Sequence, residues 1–453
     1  AGTASNAISV TSGEIYKVTF DYTKNSGDDL RVLFSVSANG AASAISNNVI
    51  ISASGTYTEY FTITSTTTGY LQMGTGNSGH SLNVSISNIS VKEVTRDNVP
   101  RIDYTGGGCP HILAEPQRTN LIPYSEDFSD SSWSKTRLSI TSNSTISPDG
   151  TQNADKLVED TSTSISHLIN QSFAVVSGTQ YTYTVYVKKG ERQYIAILLT
   201  TPQAGKYFDV NNGIVLGDFV AAPDDATIED AGNGWFRCSI TYTSNTTSVN
   251  ANMYMSEDGT SFSYDGDGTS GIYVWGAQIE VGSYPTSYIP TSGSTVTRNQ
   301  DIFTRDGIGS LINSTEGVLF AEIQGFSNVN LQRIISLSDG SNNENTVQLG
   351  ILNSTTNYKL FASVRVSSSF QAFMVYDLGA VEPTMVKAAI KYKENDLALW
   401  VDGVERVTDT SGSTFSADTL NELAFDRGGG SQKFEGKVKQ LQVYDTALTD
   451  DQL

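Results

Sequence analysis

The sequence predicts an all-β protein made of tandem antiparallel β-sandwiches, and three observations carry this prediction. Residues 16–22 and 181–187 alternate large apolar or aromatic side chains with polar ones, which is typical of strands with one buried face. A sustained helical period is absent, and residues 446–453 are the one segment that favours a helical turn. Turn-forming pairs recur at short intervals, among them Ser54-Gly55, Ser177-Gly178, Asn212-Gly213, Asn233-Gly234 and Asp402-Gly403.

Length and charge narrow the class of protein further. A chain of 453 residues corresponds to two to four domains at roughly 100–200 residues each. The net charge of -20 argues against binding to nucleic acid or to an anionic membrane surface, and it permits neutral sugars. No apolar run approaches the roughly 20 residues of a transmembrane helix, and residues 1–5 do not begin a signal peptide. Two cysteines, Cys109 and Cys238, do not make a disulfide scaffold.

The chain repeats itself loosely. Residues 10–20 match residues 175–185, each a turn that enters an aromatic strand, and residues 86–94 match the closing strand at 274–281. The second copy has about 50 further residues ahead of its turn, whereas the first has no counterpart to them. Two interpretations stay open: the chain begins part-way into its first module, or that module is a shortened version. A missing strand would expose a sheet edge that a partner subunit would cover.

The repeats divide the chain into four parts. Residues 1–95 are predicted to form a β-sandwich that lacks its N-terminal portion. Residues 96–119, rich in Pro and Gly, are predicted to form a connector with irregular backbone. Residues 120–300 make the second sandwich, and residues 301–453 make the third.

Several segments resemble known families. A signature common in phage tail and other virion proteins is similar to residues 100–104, 113–121, 275–280, 288–291 and 297–298. Residues 120–281 resemble the jelly-roll carbohydrate-binding modules of such proteins and of polysaccharide-degrading enzymes, and residues 1–95 resemble a shorter version. The third sandwich resembles laminin-G or concanavalin-like domains at residues 386–392, 397–403 and 434–441. That fold hosts lectins, adhesion modules and enzymes alike, so it does not define the function.

Binding of a glycan requires aromatic faces for sugar C–H groups, together with amides and carboxylates for hydroxyl groups. Trp275 lies in an alternating closing strand and Trp400 in an apolar run, so both are interpreted as structural and Trp400 as core-facing. The remaining candidates for glycan contact are Trp133, Trp235, Tyr194, Tyr207 and Tyr254.

An acidic loop at residues 257–268 is the candidate for a metal site. Asp258, Asp265 and Asp267 supply the oxygen ligands that Ca²⁺ prefers, although the spacing does not match an EF-hand. Ordinary turn-forming Asp-Gly pairs are the competing interpretation, and the favoured one. No cofactor is required by the sequence, and Ca²⁺ is the one ion that this loop suggests.

The motifs of catalysis are absent. His80, His111 and His167 stand apart without metal-like spacing, and neither a His-Glu-x-x-His nor a Gly-x-Ser-x-Gly motif occurs. The third module also lacks the Glu-x-Asp-x-x-Glu strand of concanavalin-like glycosidases. With 48 acidic residues, mere proximity of two carboxylates would not indicate a glycosidase. We expect a protein that is not an enzyme.

These observations favour a non-catalytic protein of the virion surface, exposed outside the cell, which attaches to host-surface glycans. Other virion proteins are the expected partners, without nucleic acid and without membrane insertion. A homo-oligomer, with a trimer as one arrangement, would raise the effective concentration of weak sites. Two alternatives stay open. One is a purely structural decoration or spacer protein, and the other is a polysaccharide-degrading enzyme or its accessory binding region.

Overall fold

The computed structural model describes residues 3–4, 7–10, 12, 14–37, 44–75, 81–93, 101–104, 109–200, 204–326, 332–341, 343–354, 356–381 and 384–453. His80, the Gly106–Gly108 run and part of the predicted connector lie outside these residues. The chain divides into two compact units, Ala1–Val99 and Pro100–Leu453. Its described secondary structure is β, apart from one 3-10 turn at Gly309–Leu311, so the all-β prediction is confirmed. Residues 446–453, where a helical turn was expected, form a single hydrogen-bonded turn, in which the Gln452 N–H donates to the Thr449 carbonyl at 2.9 Å, and no helix.

The first unit is a small sandwich of two antiparallel sheets. One sheet has the order β1-β7-β4-β5, with β2 also pairing β7, and the other has the order β6-β3-β8. Alternate residues of β3 such as Val18 and Phe20 are buried between the sheets, as their period of two predicts. The strands are β1 Thr3–Ala4, β2 Ile8–Val10, β3 Ile15–Gly27, β4 Leu30–Ser35, β5 Val49–Ile51, β6 Gly55–Thr62, β7 Thr67–Gly74 and β8 Leu82–Glu93.

The second unit contains two sandwiches, of which the jelly roll is the first. Its sheets have the orders β12-β15-β22-β17-β18-β19 and β13-β14-β23-β16-β21-β20, and β11 pairs β24 beside them. The strands are β11 Arg118–Asn120, β12 Ser134–Thr136, β13 Leu138–Thr145, β14 Ala154–Glu159, β15 Leu168–Ala174, β16 Gln180–Lys188, β17 Tyr194–Leu199, β18 Ala204–Asp209, β19 Ile214–Asp218, β20 Asp225–Gly232, β21 Trp235–Thr243, β22 Ser248–Ser256, β23 Gly271–Val281 and β24 Val296–Arg298.

The C-terminal sandwich is also built of two sheets, with the orders β33-β32-β31-β26-β35-β10-β9 and β25-β34-β27-β28-β29-β30. Its strands are β9 Arg101–Asp103, β10 His111–Ala114, β25 Thr304–Arg305, β26 Glu316–Gly325, β27 Gln332–Ser338, β28 Thr346–Asn353, β29 Tyr358–Val366, β30 Ser369–Gly379, β31 Val386–Lys393, β32 Leu397–Val401, β33 Val404–Asp409, β34 Glu422–Ala424 and β35 Gly436–Tyr444.

The segment expected to be an irregular connector is not one. Within residues 96–119, β10 pairs with β35 and β9 pairs with β10, so both strands belong to the C-terminal sandwich. Ala114 is fully buried in the core of that sandwich. The domain predicted to begin at residue 301 is therefore only part of the C-terminal sandwich. Strands β9 and β10, which form one edge of its first sheet, precede the jelly roll in sequence.

A buried ion cluster joins the two sandwiches of the second unit. Glu115 Oε2 lies 2.6 Å from Arg101 Nη2 and 2.8 Å from Arg298 Nη1. Arg101 also pairs with Asp301, and Asp301 Oδ2 accepts a hydrogen bond from the Glu115 backbone N–H at 2.8 Å. Both acids are less than 5% exposed, so each charge is offset by an opposite charge and by hydrogen bonds.

Asn120 gives the signature a second structural role. Its Nδ2 donates to the carbonyls of Ala277 and Ile289, at 3.2 and 2.9 Å. Its Oδ1 accepts from the backbone N–H groups of Ile122 and Ile279, at 3.1 and 3.2 Å. Because all four bonds of this fully buried amide are made, it fixes the start of the jelly roll against its closing strand.

Candidate functional site

The outer face of the β12-β15-β22-β17-β18-β19 sheet of the jelly roll collects polar and aromatic side chains. Val249, Ala251 and Met253 of β22 pack in the core, so the residues between them point outward. Asn252 lies opposite Asn170 of β15, and Tyr254 lies opposite Ala196 of β17. Ala196 is 0% exposed, so the side chains around it already cover this part of the sheet.

Asn170, Asn250 and Asn252 form what we call the amide patch. Asn252 Nδ2 donates to the Asn250 carbonyl at 2.9 Å and is buried. The side chains of Asn170 and Asn250 are half-buried, and within the described part of the chain neither has a hydrogen-bond partner. An amide offers two donors and one acceptor, so this patch can bond to hydroxyl groups of a ligand.

Four rings beside the amide patch form what we call the aromatic wall: Tyr207, Phe219, Tyr254 and Phe262. Phe219 lies at its centre, with ring centroids 5.5 Å from Tyr207, 4.9 Å from Tyr254 and 4.9 Å from Phe262. Phe262 is 39% exposed, whereas Tyr207 is 2% exposed beneath Phe219. On β22, Tyr254 is two residues from Asn252, or about 7 Å, and four residues from Asn250, or about 13 Å.

The two phenols of the aromatic wall stay protonated in the physiological range. Burial raises the pKa of Tyr207 to about 12, with further contributions from Asp258 and Tyr254. Burial also raises the pKa of Tyr254. Both groups are therefore neutral hydroxyls that can donate or accept a hydrogen bond.

The loop that carries Phe262 is held to the sandwich by Glu159. The Glu159 carboxylate accepts from Arg192 Nη2 at 2.7 Å and from the Tyr264 hydroxyl at 2.8 Å. It also accepts from the Asp267 backbone N–H at 3.0 Å. Three charge-assisted bonds to a carboxylate that is 1% exposed keep this loop, and with it Phe262, against the sheet.

Lys206 and Lys135 lie in register with the core residues Ile197 and Ile169, so neither side chain starts from the outer face, and both are engaged. Lys206 pairs with Asp218 at 2.5 Å, and Lys135 donates to the Ser129 carbonyl at 2.8 Å. Asp209 is held by its own turn, because its carboxylate accepts from Asn212 Nδ2 at 2.8 Å. The face consequently offers neutral hydrogen-bonding groups rather than a free cation for an anionic ligand.

Two predicted contact residues are corrected by the structure. Trp133 and Trp235 are each 1% exposed, so neither indole presents a face to a ligand. Trp133 Nε1 donates to the Tyr124 carbonyl at 2.9 Å, and Trp235 Nε1 donates to the Ile146 carbonyl at 3.0 Å. Both side chains fill the fold, with their single polar atom satisfied.

The remaining tryptophans are buried as well. Trp275 packs with Trp235 on the outer side of the other jelly-roll sheet, where Tyr288 covers it with a ring centroid 4.6 Å away. Trp400 is 8% exposed, but it does not face the main core as expected. It packs instead with Val318, Ala389 and Ala398, under Leu448 and Leu453 of the C-terminal segment.

Three of the predicted tyrosines do lie on one face. Tyr207 and Tyr254 belong to the aromatic wall, although Tyr207 is too buried to stack on a ligand and contributes its hydroxyl edge. Tyr194 is half-buried on β17, opposite Asp209 and Ser256. Phe219, Phe262 and the amide patch were missed, because an isolated Asn or Phe in an alternating strand has no motif; only their pairing across strands makes them a surface.

The acidic loop does not bring its three aspartates together. Asp258 accepts from the backbone N–H groups of Thr260 and Ser261, each at 2.8 Å, and Asp267 accepts from that of Ser270 at 2.7 Å. The bonds from Thr260 and Ser261 lower the pKa of Asp258, and bonds from the Ser270 hydroxyl and from its backbone N–H lower the pKa of Asp267. Among the described residues, no three Asp, Glu, His or Cys side chains are grouped so as to hold a metal. Asp258 and Asp267 serve as caps of their own turns, as in the competing interpretation.

Asp258 and Asp265 do share one depression with a volume of about 380 Å³. Asp265 accepts there from the Ser164 backbone N–H at 2.6 Å. The other lining residues are Ser164, Glu257, Ser261, Ser263 and Tyr264. Binding of Ca²⁺ at this loop stays a prediction that rests on two of the three residues.

No protein-family profile and no curated protein matches the sequence. Among solved structures, the chain is similar to the CBM40 of the Ruminococcus gnavus IT-sialidase bound to alpha2,3 sialyllactose, with 19% identity over 31% of this chain and 80% of that one and a TM-score of 0.25. The CBM22-1-CBM22-2 tandem of Paenibacillus barcinonensis Xyn10C has 14% identity, 61% and 82% coverage and a TM-score of 0.23. The LG4-5 domains of the mouse laminin alpha1 chain have 11% identity, over 62% of this chain and 86% of that one, and a TM-score of 0.22. At these identities, the likeness is one of β-sandwich fold alone.

None of the described helical segments is long and apolar enough to span a bilayer.

Proposed function

We propose that the jelly roll binds neutral glycans through the aromatic wall and the amide patch. One observation carries this proposal: the half-exposed side-chain amides of Asn170 and Asn250, which have no partner among the described residues, lie on the same side of the sheet as Tyr254 and Phe262. Sugars present hydroxyl groups and apolar C–H faces close together, which is the chemistry that adjoining amides and rings recognise. The engaged state of Lys206 and Lys135 favours uncharged sugars over anionic ones.

We further propose that this binding serves attachment of a virion to host-surface glycans, without catalysis. The sequence signature at residues 113–121 supports the virion setting, and the repeated sandwich modules support an adhesive role. Two residues of that signature also stabilise the fold. Glu115 pairs with Arg298 in the ion cluster between the two sandwiches, and Asn120 bonds to the closing strand of the jelly roll. The spacer and enzyme alternatives predict different outcomes of the experiment below.

The experiment is a glycan-array screen of the full chain, followed by titration of each positive glycan and a check for cleavage products. Neutral oligosaccharides and sialyllactose are both included, and we expect neutral ones to bind more tightly. Asn170→Ala and Asn250→Ala should each weaken binding, because each removes a free amide. Asn421→Ala, at an exposed position of the C-terminal sandwich, is the matched control.

Each outcome decides between the alternatives. Binding without cleavage, weakened by the two amide variants alone, supports the proposal. Absence of binding to any glycan or to host cell envelopes favours the spacer role, and release of shortened products favours an enzyme. Binding that Asn421→Ala weakens equally would place the site elsewhere on the chain.

A further inference from the structure

The first unit and the jelly roll share a three-strand motif down to its irregularities. In the first unit β3 pairs with β6 and β8, and in the jelly roll β16 pairs with β21 and β23. The β3–β8 ladder slips register between Thr19 and Asp21, and the β16–β23 ladder slips between Thr184 and Tyr186. These are equivalent positions of the internal repeat, so β8 is the structural counterpart of β23.

In the jelly roll, the second edge of β23 is fully covered. Residues 271–274 of β23 pair with residues 155–158 of β14. Further along, the Ala277 N–H donates to the Ser125 carbonyl at 2.9 Å, and the Ile279 carbonyl accepts from the Leu121 N–H at 2.8 Å. The apolar residues Ile272, Val274, Ala277 and Ile279 are consequently all 0% exposed.

In the first unit, the same edge has no cover among the described residues. There β8 pairs with β3 alone, so residues 83–86, the counterparts of residues 271–274, have one free edge. Val84 and Ile86 are only half-buried, although they face the core. Ile89, the counterpart of the buried Ala277, is 50% exposed. The edge therefore presents unpaired backbone groups next to apolar side chains.

We propose that residues 83–86 of β8 pair with the same strand of a second copy of this chain, forming a two-fold antiparallel β-ribbon. Residues 82–91 carry no charged side chain and no proline, the two devices by which proteins commonly protect an edge strand. Residues 1–99 contain 5 Lys and Arg and 7 Asp and Glu, so they are nearly neutral. The whole chain contains 28 Lys and Arg and 48 Asp and Glu. Like-charge repulsion between two copies is thus weakest at this unit.

Two copies of β8 are complementary when they pair antiparallel with Ser85 opposite Ser85. Pairing about Ser85 puts Val84 of one copy opposite Ile86 of the other, so that core-facing residues meet on one side. Ser85 then faces Ser85 on the outer side, where both side chains are exposed. The ribbon ends near Asn88, whose backbone leaves the extended conformation at φ 53°. A two-fold contact uses the same residues from both copies, as this strand permits.

The first test measures the mass of the full chain in solution by light scattering after gel filtration, across the micromolar range. We expect a species of twice the 48.7 kDa chain mass at the higher concentrations. Ser85→Lys places two like charges opposite each other and should return the protein to one chain. The matched control is Thr58→Lys, an exposed position on β6 at the opposite edge of the same sheet, which should leave the dimer intact.

A monomer at every concentration, or a dimer that survives Ser85→Lys, overturns the proposal. Loss of the dimer in Thr58→Lys but not in Ser85→Lys also overturns it, since the other edge would then be the contact. Thermal unfolding of both variants is measured alongside, because an unfolded variant would lose the dimer for an unrelated reason. A proposal about glycan binding is unaffected by any of these results.

A second measurement tests the register without disturbing the fold. In a Cys109→Ser background, Ser85→Cys places two thiols directly opposite each other, where cross-strand Cβ atoms lie about 4.5–5.5 Å apart. Mild oxidation should therefore give a covalent dimer on a non-reducing gel. Asn83→Cys is the control, because in this register residue 83 faces residue 87. Equal cross-linking of the two variants, or none with Ser85→Cys, contradicts the register.

Discussion

Asn88 and Gly276 occupy equivalent positions in two related strands and adopt the same left-handed backbone, with φ angles of 53° and 62°. Each lies within the stretch where its strand slips register against the preceding aromatic strand. Asn and Gly are residues that tolerate this conformation, and Asn88 is held in it by a hydrogen bond from its Nδ2 to Asp21 Oδ2. The bulge is thus a feature of the module that both copies keep with different residues.

Gly276→Ala should destabilise the second unit. A Cβ at this residue would lie 3.0 Å from Tyr186 Cδ2, and the positive φ costs a side chain about 1–2 kcal/mol. Chemical denaturation should therefore give a lower free energy of unfolding by at least that amount. The control is Gly217→Ala, where nothing lies within 4 Å of the added atom. Equal stability of the two variants would show that the bulge is free to rearrange.

Phe262→Ala should lower the affinity for a glycan that binds the jelly roll by about two- to twelvefold, since loss of one ring contact costs about 0.5–1.5 kcal/mol. The ring is 39% exposed, so its removal should change stability little. Isothermal titration with the best glycan from the array measures the effect. Phe370→Ala, which removes a ring that is 53% exposed on the C-terminal sandwich, is the control. A larger loss in the control than in Phe262→Ala would place the sugar on the other sandwich.

Glu115→Gln should weaken the junction of the two sandwiches in a pH-dependent way. Burial alone would raise the pKa of Glu115, but Arg298 and Arg101 hold it below its ordinary value of 4.5. A carboxylate whose pKa falls on folding contributes stability above its unfolded pKa and loses that contribution as the pH falls through the folded value. Removal of one partner from a buried pair costs about 3–5 kcal/mol at neutral pH.

The measurement is urea denaturation of both proteins at neutral pH and at several pH values below 4.5. The difference in free energy of unfolding between the proteins should be largest at neutral pH and should shrink toward acidic pH. Glu405→Gln, at an exposed position of β33, should follow the unmodified protein throughout. Parallel pH profiles for Glu115→Gln and the unmodified protein would contradict the assignment.

Glycan binding and thermal stability should be unchanged by EDTA. The carboxylates of Asp258 and Asp267 are already bonded to N–H groups of their own turns, and Asp265 is bonded to Ser164. Thermal unfolding with added Ca²⁺ and with EDTA is the direct measurement. A melting temperature that rises with Ca²⁺, and no longer does so in Asp258→Asn and Asp265→Asn, would establish the calcium site that the sequence suggested.

The resemblance at residues 113–121 shows how far a motif can be read without a structure. The resemblance by itself does not indicate the physical role of these residues. Glu115 contacts Arg298, which is more than 180 residues away in sequence, and Asn120 bonds to β23 and to Ile289, more than 150 residues away. A motif whose partners are distant in sequence can be recognised as a pattern, but its bonds are formed only when the chain folds.

The sequence by itself determined the β architecture and the internal repeat, because alternation and turn residues act locally and each strand carries its own pattern. Only the tertiary structure decided that β9 and β10 complete the C-terminal sandwich, since strand pairing depends on which edge is free. The tertiary structure also decided which side chains are buried. Trp133 and Trp235 are of a residue type that commonly binds sugars, yet both are buried. Asn170 and Asn250 belong to no motif, yet they lie half-buried on the outer face of the sheet. Exposure depends on what packs above a side chain, and the residues that do so come from other strands.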